Sequence, residues 1–440
     1  MNAFSFSLKE FLRIILQVMK RISHIDFHAL QVAFVSKKLS EHLYPEHVEP
    51  ITIVAFLHDI GFLMPRYLRS IEKLPSEETF ITLERLLKFD HSIKAFGKMH
   101  SLFGKKLIRY LPIENEYGNA IALHHTSAEQ LDVKNKVHVI ANIIHLADFI
   151  SLSTLKQNFD YDRVKELISE VTASSDYFPH VVSAFKEIFY PEAPWFLLFE
   201  YNDLVEQLLY GTKRILSYAE LEHALDVLVF LVDHKSPFTR KHTESVVFTA
   251  SEIASELDLT DDEIISLELA AKVHDVGKMA TPVKILEKPS NLDQKELWIM
   301  RKHVYDSYSI LGGEKSCMAH EWICWATEHH ERLDGSGYPF KKNAKELSLP
   351  SRILMVADML VAIVEDRPYR KSMTLEEALK ILQNDALNGK LDVDVVKTVE
   401  KMIKNGFHPI LERGVSEEIL EEIQKETQVE SSLFQHDLIE

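Results

Sequence analysis

Histidine and aspartate recur along this chain in an order that could hold metal ions. In the second half the series is His242, His274-Asp275, His303, His329-His330 and Asp358, at steps of 32, 29, 26 and 29 residues. In the first half it is His28, His58-Asp59, His100, His124-His125 and Asp148, at steps of 30, 42, 24 and 24. Imidazole nitrogens and carboxylate oxygens bind divalent transition ions, and a carboxylate can bridge two of them. Each series offers seven candidate ligands, more than one ion takes. That number suits a pair of ions, with open positions for water or substrate and a water acidified for attack on phosphorus. Taken singly, each histidine reads better as a satisfied core or surface residue, and Asp358 as a helix-end acid. The same order of residue types, present twice, is what argues for a metal centre.

The elements that must position these residues also repeat. "VAFLHDIGF" (54–62) matches "AAKVHDVGK" (270–278), "IALHHT" (121–126) matches "ATEHHE" (326–331), and "NIIHLADFI" (142–150) matches "RILMVADML" (352–360). Self-similarity over a long period indicates duplicated domains. Apolar residues recur at three- and four-residue steps, as in Leu225-Leu228-Val229-Val232 and Ile264-Leu267-Ala270-Ala271, and strand-like alternation is scarce. The predicted fold is all-α, with tandem helical domains at 1–165 and 218–405, a helical connection at 166–217 and a charged helical tail at 406–440. The aromatic stretch 174–201 is expected to pack the two domains together. Thr260-Asp261-Asp262-Glu263 reads as an acidic helix start. A His-Asp pair on a helix would set its two side chains about 100° apart, so that the carboxylate can lie between ions. After His329-His330 comes Asp334-Gly335-Ser336-Gly337-Tyr338-Pro339, so a helix is predicted to end near Glu331 or Arg332.

Length and composition bound the rest. At 440 residues the chain suggests two to three domains. Its 67 acidic against 50 basic residues give a net charge of −17, which argues against a nucleic-acid polymer as partner. An anionic substrate must then be drawn in by local cations or metals. The two cysteines, Cys317 and Cys324, lie seven apart on one helical pattern and are expected to be reduced core residues, in keeping with a cytoplasmic location. No apolar run reaches membrane-spanning length, and Phe11 to Met19 reads as an amphipathic helix.

The second domain resembles the HD-GYP domain, a branch of the HD phosphohydrolase superfamily. "HDVGK" (274–278), "HHERLDGSGYP" (329–339) and "DRPYRKSM" (366–373) carry the likeness. It implies a helical fold, a centre of two or three metals, usually iron or manganese, and hydrolysis of cyclic di-GMP to pGpG or GMP. It also implies diguanylate-cyclase-type signalling partners meeting the Gly-Tyr-Pro loop. In this reading Asp275 and Lys278 are catalytic, Lys278 neutralises charge on phosphate, and Arg367 and Arg370 match positions that contact the cyclic dinucleotide. Arginine suits that task through its planar fork and stacking face. Phe238 stands where some members carry a further metal-binding glutamate, which favours two ions, and Ser372 stands where proline is frequent.

The first domain resembles a decayed copy. It keeps the ligand series but replaces the lysine with Phe62 and lacks the Gly-rich loop in "HHTSAEQLD" (124–132). Counting from Asp148 puts Gln157 and Asp160 where the arginines would stand. The expectation is a domain that binds metal but hydrolyses cyclic di-GMP poorly, with His24 a surface residue rather than an added ligand.

Overall fold

The computed structural model describes residues 5–22, 25–63, 94–154, 160–233, 235, 242–365 and 371–410. Arg367, Arg370, Gln157, Phe238 and His24 lie outside the described residues. Among the described residues the regular structure is helical, with two isolated β-bridges, Ser7 to Ile215 and Asp334 to Asn343. The chain divides into two compact units, Ser7–Leu216 and Ser217 onward, the latter together with the short segment ending at Phe6.

The first unit holds α1 (Leu8–Ile22), α2 (Asp26–Leu43), α3 (Val48–Phe56), α4 (Lys94–Ile108), α5 (Asn115–Leu123), α6 (Lys136–Thr154), α7 (Tyr161–Ala173), α8 (Pro179–Ile188), α9 (Ala193–Leu197) and α10 (Tyr201–Leu209). Helix α6 is apolar on nearly every side because it runs through the middle of this unit. Ile140, Ile143, Ile144 and Ala147 are fully buried, and Asp148 is buried with them. By length and hydropathy α6 could cross a membrane, but 72% of its apolar window is buried within the protein. Helices α7 to α10 add a second apolar layer around Phe185, Phe189 and Trp195, whose rings stand 5.2–6.1 Å apart. This layer is fastened to α2 by polar bonds: Gln31 Nε2 donates to Leu198 O at 2.8 Å and Lys37 Nζ to Gln207 O at 2.7 Å.

The second unit holds α11 (Tyr218–Asp233), α12 (His242–Glu256), α13 (Asp261–Val273), α14 (Val283–Leu286), α15 (Gln294–Ile310), α16 (Gly313–Ala319), α17 (Glu321–Ala326), α18 (Leu349–Val364), α19 (Leu375–Leu387) and α20 (Val393–Lys404). Three of its helices begin with reciprocal capping boxes: Thr260 with Glu263, Asp293 with Glu296, and Thr374 with Glu377. Helix α18 is this unit's buried counterpart of α6 and carries Asp358.

Three expectations are corrected. The helix before the histidine pair ends at Ala326, not near Glu331, and both histidines lie in the turn that follows. In that turn His329 Nδ1 donates to Ala326 O at 2.7 Å, three residues back. The His-Asp pairs sit at junctions, not within helices: His274 caps α13, and Asp275 opens the 3₁₀ turn Val276–Ala280. The cysteines do not share one helix. His320 is extended (φ −140°, ψ 99°) and separates α16 from α17. The Cys317 and Cys324 Cα atoms therefore come within 5.0 Å and the sulfurs pair as a disulfide. Seven residues of unbroken helix would hold those atoms about 10 Å apart.

One packing constraint is duplicated. A Cβ on Gly277 would run into the backbone carbonyl of His303, and a Cβ on Gly61 into that of His100. The 3₁₀ turn after each His-Asp pair thus lies directly on the helix carrying the next ligand, at a separation only glycine permits. Gly277→Ala is expected to destabilise the second unit by about 1–3 kcal/mol through overpacking. It should also reduce that unit's bound metal. Thermal unfolding with elemental analysis checks this, and an unchanged midpoint with full metal content would contradict it.

Candidate metal centres

In each unit the seven predicted ligands converge. In the second, His242 (start of α12), His274 (end of α13) and Asp358 (α18) form one group, and His303 (α15), His329 and His330 (the turn after α17) form another. Asp275 lies between them. Its Oδ2 is 3.3 Å from His274 Nε2 and 3.8 Å from His242 Nε2. Its Oδ1 is 3.3 Å from His303 Nε2 and 3.9 Å from His329 Nε2. Asp358 closes the ring, with Oδ1 3.1 Å from His242 Nε2 and Oδ2 3.9 Å from His330 Nδ1.

The first unit repeats the arrangement. Asp59 Oδ2 is 3.3 Å from His58 Nε2 and 3.4 Å from His28 Nε2, while Oδ1 is 3.2 Å from His100 Nε2 and 3.9 Å from His124 Nε2. Asp148 Oδ1 lies 3.3 Å from His28 Nε2 and Oδ2 3.9 Å from His125 Nδ1. Here ring nitrogens also face one another: His28 and His58 at 3.2 Å, His100 and His125 at 3.1 Å.

The donor set fits metal. His274, His303 and His329 each give Nδ1–H to a backbone carbonyl three residues earlier, at 2.6–2.7 Å. That bond fixes the tautomer and leaves Nε2 with a lone pair aimed at the centre. His58 and His124 do the same in the first unit, at 2.8 and 2.6 Å. His242 Nδ1 donates to Glu365 Oε2 at 2.8 Å instead. His28 Nδ1 donates to Ser151 Oγ at 2.8 Å, and Ser151 in turn donates to Gln31. Four buried atoms of the second centre make no hydrogen bond: Nε2 of His274, His303 and His329, and Asp275 Oδ1. Each such atom costs about 1–3 kcal/mol if nothing satisfies it, and cations held by the two groups would satisfy all four.

Charge follows the same logic. Burial works against ionisation of Asp275, but neighbouring His274 and Lys278 outweigh it and hold the carboxyl well below its ordinary range. Burial, with His274 beside it, pushes His329 down to about 3, so it is a neutral ligand at physiological pH. His28 behaves differently. Burial alone would depress it, yet Asp148 and Asp59 raise it to about 9.

The surroundings separate the two centres. Lys278, on the 3₁₀ turn, bonds through Nζ to Asp275 Oδ2. Phe62, at the matching position, stacks flat on His100 with ring centroids 4.2 Å apart. The Gly-Tyr-Pro loop folds back on the second centre: Tyr338 stacks on His330 at 4.9 Å, and the Arg301 guanidinium sits 4.2 Å from the Tyr338 ring centre. Glu331, fully buried, anchors the loop by accepting the amides of Phe340 at 2.7 Å and Lys342 at 3.1 Å. Gly337 is required there, because a Cβ would collide with the Glu331–Arg332 backbone. Sequence reasoning passed over Glu331, Arg301, Glu365 and the glycines Gly61 and Gly277. The glycines carried a usable signal, since both follow the His-Asp pair by two residues.

Fold and site define a tandem helical protein with a histidine–aspartate centre in each domain. Models of the HD domain match residues 25–153 and 226–395. The chain is 29% identical to the 3′3′-cGAMP-specific phosphodiesterase 1 of Vibrio cholerae serotype O1 over 80% of this chain and 81% of that protein. It is 35% identical to a cyclic di-GMP phosphodiesterase of Thermotoga maritima over 42% of this chain and half of that protein. The chain thus spans about half the length of that relative. A solved cyclic GMP-AMP-specific phosphodiesterase of V. cholerae shares the fold, with a TM-score of 0.58 at 21% identity, covering 92% of this chain and 99% of that one. The chain belongs to the HD-domain family, with an HD domain in each half.

Metal uptake by the first centre must displace the proton that His28 holds up to about pH 9. Its affinity for Mn2+ is therefore expected to fall as pH drops from 9 to 7, by up to about tenfold per unit. Competition titration of the His274→Ala/Asp275→Ala variant against a chelating dye would read this. A flat profile would show that His28 is not protonated in the metal-free state.

Proposed function

We propose that the chain is a metal-dependent phosphodiesterase that opens cyclic dinucleotides at the second domain, with cyclic di-GMP as substrate and pGpG or GMP as product. The observation that carries this reading is Asp275, whose two oxygens face separate ligand groups while Lys278 reaches one of them. Such a site would hold two divalent ions, iron or manganese by the chemistry of its ligands. When bound, they would supply Lewis acidity for activating water and neutralising phosphate charge.

The protein's own groups account for the remaining work. His242, His274 and Asp358 hold one end of the centre, and His303, His329 and His330 hold the other. Lys278 lies partly exposed beside Asp275 and can transfer its ammonium from that carboxylate to an incoming phosphate oxygen, offsetting charge that develops there. Tyr338 and Arg301 offer an aromatic face and a cation at the rim, suited to a guanine base and its phosphate. Arg367 and Arg370 are assigned to substrate from the family resemblance. In the first domain Phe62 covers the position of Lys278, so that domain is assigned metal but not this reaction. A mixed cyclic dinucleotide is the second reading, because the relative aligned over both domains is named for 3′3′-cGAMP.

The test is turnover of cyclic di-GMP and 3′3′-cGAMP by metal-reconstituted full-length protein. His274→Ala/Asp275→Ala is expected to abolish it, and His58→Ala/Asp59→Ala to leave most of it. Equal losses would overturn the assignment to the second domain, and binding without turnover would make the chain a receptor. Lys278→Ala is expected to lower kcat by about 10²–10³-fold with its metal content unchanged.

A further inference from the structure

Beside His125 the first unit has a cavity of about 530 Å³, within the size range of small-molecule sites. Its wall combines Leu102 and Val137 with the polar residues Ser101, Lys105 and Thr126. In the second unit the matching place is filled. Lys105 follows His100 by five residues on α4, as Tyr308 follows His303 by five on α15. Tyr308 packs against Phe340 with ring centroids 4.9 Å apart, and Tyr338 covers His330, the counterpart of His125. The Gly-Tyr-Pro loop fills that flank of the second centre with aromatic rings. Among the described residues of the first domain no such loop covers the flank, and the tyrosine position there carries a lysine.

The chemistry of the opening is that of an anion site. At one end stands His125, which with the buried His100 and His124 forms a group that could hold a divalent ion. The wall brings an ammonium, and the net charge of −17 makes such local cations necessary for any anion to approach. The apolar side chains leave room for a small organic group. We propose that the first domain binds a small phosphate monoester in this cavity, its phosphate shared between the Lys105 ammonium and the His125 end of the metal centre. The domain is then a second ligand site with a chemistry of its own, and the proposal stands whether or not the second domain opens cyclic dinucleotides.

Calorimetric titration of the Mn2+-loaded full-length His274→Ala/Asp275→Ala variant, whose second centre is disabled, with glycerol 2-phosphate tests this, with orthophosphate as a second probe. One binding equivalent for the ester is expected. Lys105→Ala should weaken it by about tenfold or more, the loss of a charge-assisted bond, and Lys105→Arg should restore most of it. Ala122→Trp, which fills the cavity, should abolish it. Each variant should keep its parent's manganese content and thermal midpoint, and Lys105→Ala in the otherwise unaltered chain should not change second-domain turnover. Ester binding indifferent to Lys105 and to the filled cavity would overturn the proposal. Binding of orthophosphate without the ester would overturn the ligand class, and binding that survives chelation would overturn the part given to the metal.

Discussion

A carboxylate buried between two sets of imidazoles is the constraint on which each half of this protein is built. Asp275 and Asp59 are each only 2% exposed, yet both are held ionised. A buried charge of that kind persists only where opposite charge or strong donors surround it. The surrounding structure serves that end. The His-Asp pair sits at a helix junction so that its two side chains diverge toward different ligand groups, and the glycine two residues on lets the next ligand helix approach the turn. The long apolar helices α6 and α18 carry the second carboxylate into the same pocket.

With this core in common, the two domains differ in what borders it. One centre has a lysine on its bridging carboxylate and a tyrosine on its outer histidine. The other has a phenylalanine on a histidine and an open cavity beside the outer one. These differences fall on the 3₁₀ turn, on the segment after the histidine pair, and on α4 and α15, where Lys105 stands at the position of Tyr308. Turns and loops of this kind tolerate change more readily than the packed helices that carry most of the ligands. The two centres therefore share their set of candidate metal ligands but not the residues that border it.

The ligand series was legible because residue type and order survive duplication, and the all-α fold was legible from periodicity. Chain geometry at the ends of helices was not. His329 looked like a residue in a helix, whereas the helix ends at Ala326 and the histidine lies in the turn beyond it. Cys317 and Cys324 looked like neighbours on one face, since nothing in the composition around His320 announces a break. Glu331 read as part of a motif, but its task of receiving two loop amides depends on a backbone that returns nine residues later. Phe62 was legible as a missing cation, whereas the cavity beside His125 was not, because an opening is defined by residues from several helices at once.

The bonds from histidine Nδ1 to carbonyls three residues back carry one more consequence. They are ordinary backbone-anchored contacts, formed when the helices form, so the rings are aimed before any ion arrives. The entropy of gathering the ligands is therefore lost during folding and not during metal capture, unlike small domains that fold only around their ion. Such a centre acts as a rigid chelator: one ion can leave and another enter with little change in the protein around it. The metal it carries will then be decided by what the surroundings supply and by exchange kinetics, more than by any shape the protein imposes.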